Sequence, residues 1–416
     1  MSFVEELTWR GLLSQVTDPK LSSKMASEKM VGYAGFDPTA DSLHVGSLLP
    51  ALALRRLQLA GHTPIAVVGG ATGMIGDPSG KSEERNFLSE EQLQKNVAGV
   101  RAQLERFVDF GGGAKLVNNY DWTRDMSYLQ FLRDIGKSFS IGMMLGKESV
   151  RLRLEKESGI SYTEFSYMLL QAFDFLQLYR QYGCKLQVGG SDQWGNITAG
   201  IDLIRRLESG ESYGLTMPLV MTAAGTKFGK TEKGTVWLAA ERTSPYEFYQ
   251  FFMQTEDRDV GRFLRYFTFL DEKTIVALEE TLARAPEKRE AQRVLAREVT
   301  TLVHGAAHAA QAEEATRALF QRESSADGKL LIPPGAPVVE EGRASFDAGF
   351  SLVDALVKGG LATSKSGARR DIEGGGVNVN DERISDVARL LVVSDIKDGA
   401  ILLRKGKKSY CVIKVV

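Results

Sequence analysis

The chain has 416 residues, of which 43% are hydrophobic and 25% charged, so it can bury a substantial core and predicts about two or three domains. Its formal net charge of −1 excludes nucleic-acid binding through bulk charge, and any such binding requires a local basic patch. Two distant cysteines and four scattered histidines exclude a disulfide scaffold and the spacing of a structural zinc site.

Short β-rich runs alternate with helical patterns through the first half of the chain. The predicted strands are VGYAGF (31–36), PIAVVGG (64–70), AKLVNNY (114–120) and CKLQVGG (184–190), and a helix is predicted at 48–61. This alternation predicts βαβ units and an α/β fold with a parallel sheet covered on both faces. Ligands bind such sheets at the carboxyl ends of the strands, where the glycine-, aspartate- and histidine-bearing turns of this sequence fall.

The turn after the first strand carries a histidine without an evident catalytic partner. In DSLHVGSLLP (41–50), His44 has no neighbouring carboxylate, and no G-x-S-x-G elbow surrounds Ser47. A general-base role for His44 is therefore not indicated by its surroundings in the sequence.

The glycine-rich turn GGATGMIGDPSGKSEERN (69–86) invites a P-loop interpretation. Ile75 stands where the first glycine of that motif should be, and Pro78 removes a backbone N–H that a phosphate would need. An ordinary strand-to-helix connection is the alternative, but it leaves Asp77 unexplained. A carboxylate at a sheet edge could hold a substrate ammonium.

The segment SYTEFSYMLLQAFDFLQLYRQYG (161–183) predicts a helix that is apolar almost all round. Tyr167, Gln171 and Asp174 interrupt it at a spacing that places them on one face. That face could simply meet solvent. If it is buried, its polar groups need partners, and a ligand with both a hydroxyl and an ammonium would supply them.

Two further stretches suit a nucleotide. GGSDQWGNI (189–197) follows a strand and opens a helix, and Asp192 could accept from a ribose hydroxyl or could act as the N-cap of that helix. TAAGTKFGKTEKGT (222–235) spaces Lys227 and Lys230 around a glycine, which suits a clamp on a polyphosphate or an ordinary basic surface loop.

The second half predicts a helical segment, a linker and a small tail. Helical patterns run from Ser244, with Pro245 at a helix start, to about residue 321, and 322–344 is rich in glycine, proline and charge. The tail (345–416) predicts short helices followed by strands. It holds basic residues that could contact phosphates or form a solvated surface: Lys365, Arg369, Arg370, Arg404, Lys405, Lys407, Lys408 and Lys414.

Taken together, these stretches resemble the bacterial tyrosyl-tRNA synthetase family. The resemblance covers nearly the whole chain and includes YAGFDPTADSLHVGSL, VGGATGMIGDPS, NNYDW, TEFSYMLLQAFDF, QVGGSDQWGN, AGTKFGKTE and SPYEFYQFF. It implies a Rossmann-type catalytic domain (1–243), a helical domain (244–321), a linker (322–344) and a small α+β C-terminal RNA-binding domain (345–416).

The resemblance also implies roles for individual residues. The tyrosine site would comprise Tyr33 and Asp174 at the phenol, Asp77, Tyr167 and Gln171 at the ammonium, and Asp37, Asn119, Gln187 and Gln193. The ATP site would comprise His44, Gly46, Ser47, Gly190, Asp192, Lys227 and Lys230. His44, Lys227, Lys230 and Thr231 would act in catalysis, and Lys81 and Arg85 would lie near the pyrophosphate. The tRNA would contact Lys365, Arg369, Arg370, Arg404, Lys405, Lys407 and Lys408.

Two departures from the usual motifs are visible. Ser47 stands where the first signature of class I enzymes, His-x-Gly-His, ends in histidine. Phe228-Gly229 and Thr231 replace the commoner Met-Ser and Ser of the second signature, which is a known style within this family.

The implied reaction activates L-tyrosine with ATP and then transfers the tyrosyl group to tRNA(Tyr). It needs no enzyme nucleophile, because catalysis consists of positioning and stabilising charge on the transferring phosphate. ATP is a substrate that brings Mg²⁺, no protein-bound metal is expected, and the family implies a homodimer. With no signal-like N-terminus and no membrane-length apolar run, we expect a soluble, cytoplasmic protein. Alternatives are a tryptophanyl-tRNA synthetase, a P-loop NTPase and a non-catalytic RNA-binding protein.

Overall fold

The computed structural model describes residues 1–79, 89–155, 159–231, 234–320, 337–380, 382–406 and 409–416. Several predicted features lie outside these ranges: Lys81, Arg85, Lys407, Lys408 and most of the predicted linker. The chain forms two compact units, one of residues 1–243 and 254–295, the other of residues 244–253 and 296–416.

Within the described ranges, the elements alternate as follows. The first half contains α1 (Phe3–Trp9), β1 (Gln15–Val16), α2 (Lys20–Ser27), β2 (Val31–Phe36), α3 (Leu48–Leu59), β3 (Thr63–Val68), α4 (Glu90–Leu104), β4 (Lys115–Asn118), α5 (Tyr120–Thr123), α6 (Tyr128–Asp134), α7 (Ile141–Leu145), α8 (Glu148–Leu154), α9 (Tyr162–Tyr182), β5 (Cys184–Gly190), α10 (Trp194–Glu208) and β6 (Tyr213–Met217). The second half contains β7 (Lys230–Thr231), β8 (Gly234–Thr235), α11 (Pro245–Met253), α12 (Asp257–Phe267), α13 (Glu272–Arg284), α14 (Glu290–His304), α15 (Ala306–Phe320), β9 (Val338–Glu341), α16 (Arg343–Asp347), β10 (Phe350–Ser351), α17 (Leu352–Lys358), α18 (Lys365–Glu373), β11 (Val377–Val379), β12 (Glu382–Ile384), β13 (Leu390–Leu391), β14 (Ala400–Lys405) and β15 (Ser409–Val415).

The first unit is built on a six-stranded sheet of Rossmann type. Its strand order is β1-β6-β5-β2-β3-β4, with every neighbouring pair parallel except the antiparallel pair β1 and β6. The four strands predicted from sequence are confirmed as β2, β3, β4 and β5. Tyr33 pairs with Gln187 across β2 and β5, which places these two side chains next to each other at the centre of the sheet.

The long helix predicted at 161–183 is confirmed as α9. Ser161 caps its first turn by accepting a hydrogen bond from the Glu164 N–H. Phe173, Phe175 and Leu176 are buried in a core that includes Ile65 and other side chains of the sheet. Because Tyr167 and Asp174 on the polar face of α9 are buried, this face must satisfy its hydrogen bonds inside the protein.

The second unit combines helices with a small five-stranded sheet. Ser244 and Glu247 cap the start of α11 reciprocally, which confirms the predicted helix start at Pro245. The sheet has the order β12-β11-β14-β15-β9, and β9 joins β15 in parallel. β9 and the start of α16 lie within the last part of the predicted linker, before residue 345.

The helical region is divided between the two compact units. Residues 254–295 belong to the first unit, whereas 244–253 and 296–320 belong to the second. The boundaries of the four predicted domains stay a prediction. Of the helices in the described ranges, none is both long and apolar enough to cross a membrane.

Candidate active site

A cavity of about 310 Å³ opens beside the carboxyl ends of β2, β3 and β5. This is the edge of a parallel sheet at which ligands bind. The predicted site residues that line it are Tyr33, Asp37, Gly46, Ser47, Asp77, Asn119, Tyr167, Gln171, Asp174, Gln187, Gly190, Asp192 and Gln193. The structure therefore brings these residues together, although they come from distant parts of the sequence.

Asp174 of α9 lies at the buried end of the cavity with two hydrogen-bond donors fixed on it. Its side-chain oxygens accept from Asn119 Nδ2 at 2.9 Å and from Trp122 Nε1 at 2.8 Å. Burial raises the pKa of Asp174 to about 7, while the two hydrogen bonds oppose that rise. The two donors orient the carboxyl group and leave it able to accept a further hydrogen bond from a ligand.

The neighbouring sheet positions carry buried polar atoms without a partner. Among the described residues, neither Tyr33 Oη nor Gln187 Oε1 has a hydrogen-bond partner, and both side chains are almost fully buried. Burial, followed by the charge of Asp174, raises the pKa of Tyr33 well above its usual value, so its hydroxyl stays protonated. A buried hydroxyl and amide oxygen without partners next to a carboxyl group indicate a binding site for a ligand hydroxyl.

A second group of contacts is centred on Asp37, just after β2. Thr72 Oγ1 donates to Asp37 Oδ1 at 3.1 Å, and Tyr167 Oη lies 3.4 Å from each carboxylate oxygen. Asn119 Nδ2 in turn donates to Thr72 Oγ1 at 3.0 Å. This chain of hydrogen bonds links Asp37 to Asp174, so the cavity wall acts as one network.

A third group joins Asp77 to the helices α9 and α10. Gln193 Nε2 donates to Asp77 Oδ2 at 2.7 Å, and Gln171 Nε2 donates to Gln193 Oε1 at 3.1 Å. Asn196 Nδ2 lies within hydrogen-bonding distance of both glutamine oxygens, at 3.1 and 3.2 Å. The amides therefore orient Asp77 and leave a carboxylate in position for a cationic group.

The polar stripe on α9 is buried, so the solvent-facing interpretation is wrong. Tyr167 is 4% exposed and Asp174 is 5% exposed, because both face the cavity network and not the solvent. Asp192 is likewise not the N-cap of α10, since the capping position is Gln193 and makes no side-chain cap bond.

Carboxylates dominate the electrostatics of the cavity. Burial, followed by the charge of Asp77, raises the pKa of Asp192, whereas the Lys227 ammonium lowers it. Asp37 and Asp174 add two more carboxyl groups to the same cavity. Such a cavity favours a ligand that brings a positive charge, and it places Lys227 within electrostatic reach of Asp192.

The turn that contains His44 leads into α3. His44 Nδ1 accepts a hydrogen bond from the Gly46 N–H at 3.0 Å, so the neutral ring carries its proton on Nε2 and can donate from there. A Cβ atom at position 46 would lie 2.7 Å from His44 Cε1, so glycine is needed for the ring to fold onto the turn. Ser47 lines the cavity just before α3 begins.

The predicted lysine loop contacts this turn through its backbone. The Val45 N–H donates to the Val236 carbonyl at 3.1 Å, and the Val236 N–H donates to the Gly229 carbonyl at 3.0 Å. Gly229 has a φ of +88°, and a Cβ atom there would collide with Val45. The loop thus brings Gly229, two residues after Lys227, against the His44 turn. Lys230 and Thr231 form β7, and their side chains lie outside the described residues.

Sequence reasoning missed three polar residues of the cavity network: Thr72, Trp122 and Asn196. Trp122 and Asn196 lie in the motifs NNYDW and GGSDQWGN, and Thr72 lies in the turn after β3. Their positions in the segments that follow β3, β4 and β5 were a usable signal, but their partners are set by tertiary contacts. No group of three His, Cys, Asp or Glu side chains that could hold a metal ion occurs in the described part of the chain.

The predicted tRNA-contacting residues lie in the second unit. Lys365 and Arg369 are one turn apart on α18, and Arg369 and Arg370 are exposed while Ala368 and Ile372 face the core. Lys365 pairs with Asp354 and Lys405 with Asp371, each at 2.7 Å. Arg404 is partly buried on β14. The exposed arginines of α18 are therefore the better placed cations for an external phosphate.

Comparison with known proteins gives consistent matches over the whole chain. A family model described as tRNA synthetases class I (W and Y) matches residues 25–321, and one described as a tyrosine–tRNA ligase SYY-like C-terminal domain matches residues 340–413. The chain is 54% identical over 423 residues to the tyrosine–tRNA ligase of Roseiflexus castenholzii and 51% identical over 424 residues to that of Geobacillus stearothermophilus, covering 100% of both chains in each case. It is also similar to the crystal structure of a C-terminally truncated mitochondrial tyrosyl-tRNA synthetase from Aspergillus nidulans, with 34% identity, a TM-score of 0.68, and coverage of 77% of this chain and 94% of that one.

Proposed function

The chain belongs to the family of class I tRNA synthetases for tryptophan and tyrosine, and from this premise we propose that it is a tyrosine–tRNA ligase. It activates L-tyrosine with ATP to tyrosyl-adenylate and pyrophosphate, and then transfers the tyrosyl group to the 3′ end of tRNA(Tyr). The sequence identity of about one half, over the full length of the chain, to bacterial tyrosine–tRNA ligases supports this assignment.

One observation in the cavity carries the choice of tyrosine. The carboxyl group of Asp174, held by Asn119 and Trp122, lies near the protonated hydroxyl of Tyr33, which has no partner among the described residues. A substrate phenol would donate to Asp174 and accept from Tyr33. Phenylalanine would leave the Tyr33 hydroxyl without a partner and Asp174 without a third hydrogen bond. This penalty gives strong selectivity, for which the family is itself the standard example.

The ammonium end of the substrate would bind to the carboxylate of Asp77. Gln171 and Gln193 orient that carboxylate from one side, and the Asp37–Tyr167 pair lies on another wall of the cavity. The phenol and the ammonium of tyrosine would then be bound by separate hydrogen-bonding groups, Asp174 with Tyr33 at one end and Asp77 at the other. This arrangement fixes the substrate carboxylate for attack on the α-phosphate of ATP.

ATP would bind beside the His44 turn. His44 Nε2 and the N–H groups at the start of α3 would face phosphate oxygens, and Asp192 would accept from the ribose. Lys227, with Lys230 and Thr231, would stabilise the charge that develops as pyrophosphate leaves. Mg²⁺ would arrive on the nucleotide, because it prefers phosphate and water oxygens to an all-protein cage.

The second unit would bind the tRNA. The exposed Arg369 and Arg370 of α18 would contact the phosphate backbone together with the other basic residues of the tail. The match of residues 340–413 to a tyrosine–tRNA ligase C-terminal domain supports this role. The predicted contacts at Lys407 and Lys408 lie outside the described residues.

We further propose that the protein is a cytoplasmic homodimer. Eight of the fifteen large exposed apolar side chains in the described ranges fall between residues 128 and 162, including Leu129 at 76% and Ile141 at 62% exposed. Such a concentration of apolar surface is typical of a protein interface. Light scattering of the full chain should give a mass near twice 45.7 kDa. A lower mass, towards that of one chain, in Leu129→Glu would support this surface as the dimer interface.

The test of the proposed function is amino-acid-dependent exchange of pyrophosphate into ATP. Each of the twenty amino acids is supplied in turn to the full chain. We expect exchange with tyrosine alone. Exchange driven by tryptophan would show a tryptophan-specific member of this family and would overturn the proposal. The absence of exchange with every amino acid would overturn it as well.

A further inference from the structure

Residues 220–228 form a tight hairpin, called here the lysine hairpin, that carries Lys227 on its returning arm. The Phe228 N–H donates to the Val220 carbonyl at 3.0 Å, and the Thr222 N–H donates to the Thr226 carbonyl at 2.8 Å. Met221 and Lys227 face each other across the two arms. A two-stranded hairpin of this length is at best marginally stable alone, so other contacts must fix its position.

Two charged side chains of α12 supply those contacts along the outgoing arm and turn of the lysine hairpin. Asp259, which is 2% exposed, accepts a hydrogen bond from the Ala223 N–H at 2.9 Å. Arg262 donates to the Met221 carbonyl at 2.7 Å and also to Asp259 Oδ1 at 2.5 Å. The Asp259–Arg262 ion pair of α12 thus binds both the Ala223 N–H and the Met221 carbonyl of the outgoing arm.

An aromatic contact secures the returning arm. Phe228, which directly follows Lys227, packs against Phe263 and Phe267 of α12 with ring centroids 4.6 and 5.2 Å apart. The two arms of the lysine hairpin are therefore both attached to α12, one by charge-assisted hydrogen bonds and the other by ring packing.

The helix that holds the hairpin is itself anchored in the core of the first unit. Arg10 donates to the carbonyls of Thr268 and Leu270 at 3.2 and 2.9 Å, just beyond the end of α12. The fully buried Arg56 donates to the carbonyls of Tyr266 and Thr268 at 3.1 and 2.9 Å. Cations at a helix C-terminus are favourable, so α12 provides a firm base for the hairpin.

We propose that Asp259 and Arg262 are positioning residues for tyrosine activation, because they fix the lysine hairpin and so the location of the Lys227 ammonium. This inference rests on the proposed function. The lysine acts on the departing pyrophosphate through its charge, and a displacement of about 1 Å in such a group can cost roughly a hundredfold in rate. The pair itself touches neither substrate.

The test uses Asp259→Asn and Arg262→Lys in the full chain. Asparagine at position 259 keeps the shape of the aspartate side chain, but its amide N–H group faces the donor of either Ala223 or Arg262. Lysine at position 262 keeps the positive charge of arginine but lacks the planar guanidinium group that donates in two directions at once. Active sites are counted by the burst of tyrosyl-adenylate, and exchange kinetics are then measured per active site. We expect kcat to fall about tenfold or more for Asp259→Asn and several-fold for Arg262→Lys. The KM for tyrosine should change less than twofold, because the tyrosine cavity is untouched.

Glu279→Gln is the matched control. Glu279 pairs with Arg265 of α12 at 2.7 Å from the neighbouring α13, and it makes no contact with the lysine hairpin among the described interactions. The Glu279→Gln variant should lower the melting temperature of the protein without changing kcat per active site. An unchanged kcat per active site in both test variants, with an active wild type, would overturn this inference alone. A wild type without tyrosine-dependent exchange would overturn the proposed function and this inference with it.

Discussion

At the scale of single residues, the carboxyl group of Asp174 experiences two opposing influences. Burial favours its neutral form, whereas the N–H groups of Asn119 and Trp122 favour its charged form. The balance gives a pKa of about 7 in the absence of substrate. A phenol that donates to Asp174 would add a third hydrogen bond to the charged form, so binding and ionisation are linked.

Replacing Asp174 by alanine should reduce kcat/KM for tyrosine activation roughly a hundredfold or more, since a hydrogen bond to a charged group contributes about 1.5–3 kcal/mol and two donors lose their partner. Tyr33→Phe should cost about tenfold and weaken selection against phenylalanine. Exchange kinetics with both amino acids provide the measurement. Asp202→Asn, which alters a partly exposed carboxylate paired with Arg205, serves as the control. Unchanged tyrosine selectivity in both cavity variants would show that this pair does not read the phenol.

Tyrosine binding should weaken as pH falls below about 7. The pKa of Asp174 is raised from 3.8 to about 7 in the folded chain, so protonation removes the charged acceptor in that range. The same shift means that this group's contribution to stability is present below about pH 4 and is lost as pH rises through about 7. Titration of the tyrosine Kd between pH 5.5 and 8.5 checks the first point. A Kd that is flat across this range would contradict it.

His44→Ala should slow activation about tenfold, whereas Ser47→Ala should cost only two- to threefold. His44 both orders the turn through the Gly46 N–H and carries a donor at Nε2, while Ser47 offers a single hydroxyl. The KM for ATP and kcat in pyrophosphate exchange are the quantities to compare. Equal and negligible losses would indicate that this turn is only structural.

At the scale of elements, the sequence was most informative where patterns are local. The strands β2, β3 and β5 are short apolar runs that end in turns, and α9 shows its apolar period and its cap at Ser161. The edge strand β1 has two residues, and β9 lies in a stretch rich in proline, glycine and charge. Their pairing depends on partners far along the chain, which no local pattern contains.

The same limit applies to the site. The positions of Asp77, Asp174 and Gln193 were predictable from motifs, because each falls in a loop that follows a strand or on a polar helix face. The roles of Trp122 and Asn196 as hydrogen-bond donors were not, since their acceptors are on other elements. The attachment of the lysine hairpin to α12 is likewise visible only in three dimensions.

The helix α18 should contribute to tRNA binding without affecting activation. Arg369→Ala combined with Arg370→Ala should weaken tRNA affinity and reduce the slope of log affinity against log salt by about one for each phosphate that the protein no longer neutralises. Filter binding at several salt concentrations provides the measurement. Lys358→Ala, which removes a cation paired with Glu341, is the control and should leave the slope unchanged. An identical slope in the double variant would argue against phosphate binding by this helix.

At the scale of the whole molecule, the catalytic cavity lies entirely within the first unit, whereas the basic residues of the tail lie in the second. This separation predicts that the two half-reactions depend on different parts of the chain. We expect activation to need the cavity and the lysine hairpin. We expect transfer to tRNA to need the tail as well, because the net charge of −1 provides no general attraction for nucleic acid.

A chain truncated after Phe320 should therefore retain tyrosyl-adenylate formation and lose tRNA charging. Pyrophosphate exchange and aminoacylation measured on the same preparation separate the two steps. The truncation removes the region matched by the C-terminal domain model and leaves the first unit intact. If the truncated chain charged tRNA as well as the full chain, the tail would have no role in tRNA binding.

The most direct test of the whole account is aminoacylation of purified tRNA(Tyr) and tRNA(Trp) by the full chain, with tyrosine, phenylalanine and tryptophan offered separately. The cavity around Tyr33 and Asp174 predicts that tyrosine alone is attached, and only to tRNA(Tyr). Attachment of tryptophan to tRNA(Trp), or attachment of phenylalanine at a rate close to that of tyrosine, would contradict the account.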